Sequence, residues 1–208
     1  LRQHKKGLMQ QLFPQPGDAV PRLRFPKFQN APEWSLKLVD EFAQVTTGNR
    51  DTQDKVDGGN YPFFVRSQAT ERIDTFAYDG EAVLTSGDGV GVGKNFHYIN
   101  GKFDFHQRVY CIHNFKSDVL GRYFYFYFSE HFGPRVRRVS AKNSVDSVRR
   151  SMIVDMPVPF PRPAEQKAIA DCLSSLDSRL DMQERKLKAL KTHKRGLLQQ
   201  LFPTLESH

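Results

Sequence analysis

The chain has 208 residues, 38% of them hydrophobic, with 17 Phe, 7 Tyr and a single Trp, enough for one good-sized domain plus an extension. A net charge of +8 points toward a polyanionic partner. Cys111 and Cys172 stand alone, which excludes a disulfide framework and zinc-finger spacing. No signal peptide or apolar run of membrane-spanning length is visible, so a cytoplasmic protein without a membrane partner is expected.

Residues 1–12 read as the end of a helix, with Leu1, Leu8 and Leu12 on one stripe and Pro14 stopping it. A Pro-rich linker, 15–32, follows. Trp34–Val45 fits either a strand or a short helix. Residues 46–60 are a polar Gly/Asn/Asp-rich loop, and YPFFVR (61–66) has strand character. AVLTS (82–86) is a strand leading into the glycine loop GDGVGVGK (87–94). Asn100-Gly101 between apolar runs signals a hairpin within FHYINGKF (96–103). QRVYCIH (107–113) alternates as a strand. The aromatic run 119–132 is read as a helix ending at Gly133-Pro134. A basic stretch, 135–150, comes next, and 153–161 is extended and proline-rich.

From Pro163 the period changes. Ile169, Leu173, Leu176, Leu180, Gln183, Leu187, Leu190, Lys194, Leu197 and Leu201 recur at alternating spacings of about 4 and 3. That is a coiled-coil seam on one helix from 164 to 202, roughly 58 Å long. So narrow a seam needs a helical partner, and its apolar members are the candidate pairing interface. One phrase also occurs twice: KKGLMQQLFP at Lys5–Pro14 and KRGLLQQLFP at Lys194–Pro203. The copies lie about 190 residues apart, far beyond solenoid periods of 20–50. One module therefore sits between two copies of one helical connector. The first copy is cut short at Leu1, as expected for a piece of a longer, duplicated protein.

The glycine loop does not match a phosphate-binding motif. A Walker A loop would need Gly at Asp88 and Ser or Thr at Asn95, and dinucleotide-binding spacing also fails. Glu165-Gln166-Lys167 after Asp155 has the form of half a nuclease site, but helix-end electrostatics accounts for Glu165. The seven histidines show no metal spacing, and no nucleophile elbow is present. Tyr123–Phe128 offers stacking surfaces, with core packing the better reading.

RVRRVSAKNSVDSVRR (135–150) has the strongest functional character. Its arginines suit phosphates or guanine edges, and Asn143 suits adenine. The plain alternative is a solvated basic surface. The candidate DNA contacts here are Arg135, Arg137, Arg138, Lys142, Asn143, Ser144 and Arg149. A second group comprises Arg66, Gln68, Thr85, Ser86, Lys94, Asn95, Gln107 and Arg108.

In order along the chain, Pro32-Glu33-Trp34, YPFFVRSQATERID (61–74), DGEAVLTSGDGVGVGK (79–94), FHQRVYCI (105–112) and VPFPRPAEQKAIADCLSSLDSRL (158–180) resemble the specificity subunit of type I restriction-modification systems. The last block is the most specific. VRSQ departs from the family's usual phrase. The resemblance implies an α+β protein: a mixed target recognition domain at 15–160, preceded by the tail of one conserved helix at 1–14. A second conserved helix, spacer and docking element, occupies 161–208. It implies sequence-specific reading of half of a bipartite double-stranded DNA site, without catalysis. Methyltransferase subunits, which would hold S-adenosylmethionine, and a restriction subunit are the implied partners. A homodimer through the long helix is a further expectation. Two other readings stand beside this one: a coiled-coil scaffold, and the recognition end of a single-chain restriction-methyltransferase.

Overall fold

The computed structural model describes residues 1–15, 17–139 and 147–201. The chain opens with helix α1 (Arg2–Leu12), then a linker holding a single 3-10 turn at Pro26–Phe28. Strand β1 (Ser35–Leu38), the short helix α2 (Val39–Phe42) and strand β2 (Gln44–Thr47) follow, so Trp34–Val45 contains both a strand and a helix. Strands β3 (Tyr61–Phe64), β4 (Thr70–Ile73), β5 (Tyr78–Ser86), β6 (Phe96–Phe105) and β7 (Val109–His113) build the sheet. Helices α3 (Gly121–Val139) and α4 (Arg150–Val154), strand β8 (Pro157–Phe160) and the 39-residue helix α5 (Pro163–Leu201) complete the chain. The expected α+β class, with its long C-terminal helix, is what is found.

Among the described residues there are two sheets. β1 pairs with β8, and a larger sheet runs β2-β7-β5-β6-β3-β4. Every pairing is antiparallel except β3 with β6. The larger sheet cannot be flat. Phe103 lies opposite Tyr78 at the start of β5, and Val109 lies opposite Ser86 at its end. That separation is roughly 26 Å along an extended strand. Yet only residues 106–108 join β6 to β7, a reach of about 14 Å between Phe105 and Val109. The β5–β6 ribbon therefore folds back over the sheet. Its bend lies where Gly80 and Gly101 pair, at φ 149° and 132°, values that side chains disfavour.

This corrects one expectation. Asn100-Gly101 makes no hairpin, because β6 continues through it as one strand and Gly101 serves the bend instead. The curl also explains the continuous run Ala82-Val83-Leu84. Val83 faces one core with Phe96 and Ile112, while Ala82 and Leu84 face a second with Phe103, Phe105 and Cys111. Both faces of β5 are dry from Ala82 to Ser86, so alternation disappears there.

Helix α3 covers the first face. Tyr123, Phe124, Phe126, Phe128 and Phe132 are all buried, each worth about 1.5–3 kcal/mol on transfer. The Tyr123 hydroxyl donates to the Pro159 carbonyl at 2.6 Å. The aromatic run is thus core. Glu81 receives the helix start, accepting the Gly121 and Arg122 N–H groups at 3.3 and 3.1 Å. The helix does not stop at Gly133-Pro134. It continues to Val139, since burial of Phe132, Gly133 and Val136 offsets the N–H that Pro134 lacks. Part of the basic stretch is therefore helical, at Arg135–Val139 and again at Arg150, the first residue of α4.

Helix α1 lies antiparallel to α5: Arg2 pairs with Glu184 and Lys5 with Asp177. Phe13, at its end, is fully buried among the rings of Tyr123, Tyr127 and His131. The start of α5 is clasped by the domain. Gln166 accepts the Leu120 N–H and donates to the Asp118 and Pro161 carbonyls, all at 2.9 Å. Glu165 is buried and receives Arg24 through two bonds, at 2.7 and 2.8 Å. Arg24 also donates to the carbonyls of Ala31 and Pro32, tying the linker to the helix. This fork, more than helix-end charge, accounts for Glu165.

Candidate nucleic-acid interface

The curl brings together segments that are distant in sequence. The end of β3, the glycine loop after β5 and the turn before β7 meet at one rim of the sheet. Asp88 stands at their junction. Its Oδ1 accepts Arg66 Nη1 at 3.0 Å and its Oδ2 accepts Arg108 Nη1 at 2.7 Å. Its side chain is 16% exposed, against 44% for Arg66 and 62% for Arg108. Burial pushes the Asp88 carboxyl up, but the two arginine bonds outweigh it and hold it below the usual range.

Backbone contacts fix this group. The Val148 N–H donates to the Gly87 carbonyl at 2.6 Å, and Asp88 bridges Ser147. The Gly87 N–H donates to the Arg108 carbonyl at 2.8 Å. Asn95 Nδ2 donates to the Arg66 carbonyl at 3.1 Å and to Ser86 Oγ at 3.3 Å. The Arg108 N–H donates to His106 Nδ1 at 2.9 Å, a role open only to the neutral ring. Burial first, then the Arg66 charge, holds the His106 imidazole below its ordinary range.

Of the residues singled out from sequence, Arg66, Gln68, Ser86, Asn95, Gln107 and Arg108 gather here. Gln68 donates to the Phe96 carbonyl at 3.4 Å, and Gln107 to Asp51 at 2.9 Å. Lys94 is exposed on the glycine loop, whose tip, Val90, is 92% exposed. Thr85 and Ser86 lie beneath the rim, fully buried, and the Thr85 hydroxyl has no protein partner among the described residues.

The basic stretch divides. Arg135 is occupied within the fold, donating to the Met152 and Asp155 carbonyls at 2.9 and 2.8 Å. Arg137 and Arg138 are exposed on the last turn of α3. Arg137 lies one turn past Gly133, which packs on the glycine loop: a Cβ there would sit 2.6 Å from the Gly93 carbonyl oxygen. Arg149 is exposed two residues beyond Ser147. Lys142, Asn143 and Ser144 lie outside the described residues. Asp88 was missed from sequence. Its one signal was a carboxylate between glycines, which also fits an ordinary turn.

In the pairing seam, Ile169 and Leu173 are buried and Leu176 and Leu180 half-buried. Leu187, Leu190, Leu197 and Leu201 are 53%, 56%, 44% and 70% exposed. Among the described residues no helix is long and apolar enough to cross a membrane, and no cluster of His, Cys, Asp and Glu is arranged to hold a metal.

Residues 32–192 match the family model for the type I restriction modification DNA specificity domain. The chain belongs to that family. It is 25% identical over 158 residues to the type I restriction enzyme EcoDI specificity subunit of Escherichia coli, covering 76% of this chain and 34% of that protein. The fold resembles the type I restriction-modification S subunit from M. genitalium, with TM-score 0.70 and 13% identity, over 86% of this chain and 48% of that one. The HsdS subunit from Thermoanaerobacter tengcongensis gives TM-score 0.57 and 15% identity over 89% of this chain and 46% of that one. This specificity-family chain thus spans about a third of its curated relative and about half of the solved subunits.

Proposed function

We propose that the chain reads a short double-stranded DNA sequence as the second recognition half of a type I specificity subunit. The chemistry of methylation and cleavage belongs to partner subunits. The observation that carries this is the convergence of Arg66, Asp88, Asn95 and Arg108 from three separate segments onto one rim, in a chain of the specificity family. Exposed Lys94, Arg137 and Arg149 extend the cationic surface, and such groups position a protein on the phosphate backbone. Residues 15–160 are the recognition domain on this reading. Residues 161–208, with the helix tail at 1–14, form the spacer that sets the distance between half-sites and docks methyltransferase subunits. The rigid clasp of Gln166 and Glu165 suits a spacer, because it fixes the angle at which α5 leaves the domain. Selection from a randomised duplex pool, with the chain co-purified with its methyltransferase subunit, is expected to enrich a short motif. No enrichment from a well-formed complex sinks this reading.

A second reading, a helical pairing module, draws support from the exposed leucines of α5 beyond Glu184. It requires a stable dimer with no DNA preference, which sedimentation combined with the same selection distinguishes.

A further inference from the structure

We infer that Asp88 aims Arg66 and Arg108 as a paired fork for guanine, so that the sequence read by this half contains guanine at one or two adjacent positions. The inference rests on the DNA-reading proposal and deepens it.

One carboxylate holding two guanidinium groups leaves one positive charge in excess at the rim. A pairing made only for stability needs no second arginine, and two like charges brought together oppose folding. A guanidinium has five N–H donors. Each arginine gives one Nη to Asp88, and among the described residues neither side chain has another acceptor. Both side chains are partly open to solvent, 44% exposed for Arg66 and 62% for Arg108, so their remaining donors are accessible to a ligand. Guanine offers O6 and N7 in the major groove, a pair of acceptors that matches a guanidinium edge.

A phosphate contact tolerates a mobile lysine or arginine, because the backbone carries no sequence information. Here the backbone beneath each participant is held by an independent bond: the Arg66 carbonyl by Asn95, the Arg108 N–H by His106, and the Gly87 carbonyl beside Asp88 by Val148. An arginine held by a carboxylate also has less rotamer freedom to lose on binding. The three residues come from segments 20 and 22 apart, so the arrangement is a product of the sheet curl.

The test uses the complex with the methyltransferase subunit and compares wild type with Arg66→Lys, Arg108→Lys and Asp88→Asn. Wild type is expected to select a motif containing guanine. Each lysine variant keeps its charge but loses the fork, and is expected to lose roughly 5- to 150-fold preference at one guanine. Asp88→Asn is expected to blur both guanine positions while keeping or raising affinity for random DNA, since it removes a negative charge. Replacing the selected guanine by 7-deazaguanine removes N7, and is expected to weaken wild type more than the matching lysine variant. That comparison remains decisive if Asp88→Asn fails to fold. A selected motif without guanine, or lysine variants with an unchanged motif, overturns the inference and leaves the DNA reading intact. Absence of any motif for wild type overturns the DNA reading itself.

Discussion

Gln166 is a buried amide at the root of the long helix, 1% exposed, and all three of its hydrogen bonds go to backbone. Gln166→Ala leaves the Leu120 N–H without an acceptor, at a cost of about 1–3 kcal/mol. The Asp118 and Pro161 carbonyls each lose a bond worth about 0.5–1.5 kcal/mol net. A destabilisation of about 2–6 kcal/mol follows, a large share of the roughly 5–15 kcal/mol typical of a folded domain. With a urea dependence near the upper end of about 1–3 kcal/mol per molar, the unfolding midpoint should fall by about 1 M with unchanged slope. Gln166→Met separates bonds from packing, because it keeps most of the volume and none of the polar atoms. It should still lose more than about 2 kcal/mol. If Gln166→Ala shifts the midpoint by less than about 0.3 M, or Met restores wild-type stability, the clasp is not held by these bonds.

Gly133→Ala should lower stability by about 1–3 kcal/mol, because its Cβ would sit 2.6 Å from the Gly93 carbonyl oxygen. Thermal unfolding checks this, and an unchanged Tm would mean that loop and helix are not in close contact in solution. The chain should also lose stability on mild acidification. Burial is the main cause holding His97, His106, His113 and His131 below the ordinary 6.5. The unfolded chain therefore takes up protons near pH 6.5 that the folded chain refuses, so stability is highest above that pH and falls as pH drops toward the lowered folded values. Asp88 and Asp118 lie below 3.8, and their contribution is lost only at still lower pH. Urea midpoints should fall between pH 7.5 and 5.5; a flat profile there contradicts the assignment.

Much of the architecture was legible before folding was considered. The alternating spacing of Ile169 to Leu201 marked α5 almost to the residue, because one unbroken heptad period reports one continuous helix, although only its first seam residues, Ile169 and Leu173, are buried. Turn residues bounded the strands at 61–66, 82–86 and 107–113. Two errors share one cause. Asn100-Gly101 and Gly133-Pro134 are local break signals, and in both places long-range contacts outweigh them: the fold-back of the β5–β6 ribbon, and the packing of Phe132 and Val136. β4 (Thr70–Ile73) escaped notice because only Ile73 of its residues is buried, leaving little pattern to detect.

By itself, then, the sequence determined the three longer helices, most strands, the duplicated connector and the specificity-family resemblance, since each depends on periodicity or on short contiguous phrases; the short α2 and α4 were not fixed by it. Only the tertiary structure decided which polar residues share a surface. Arg135, the first arginine of the basic stretch, is spent on backbone carbonyls, while Asp88, inconspicuous in its glycine loop, gathers Arg66 and Arg108. The physical reason is that a carboxylate and two guanidiniums 20 and 22 residues away meet only once the sheet has curled, and that curl is driven by burying both faces of β5, not by anything local to the three charged residues.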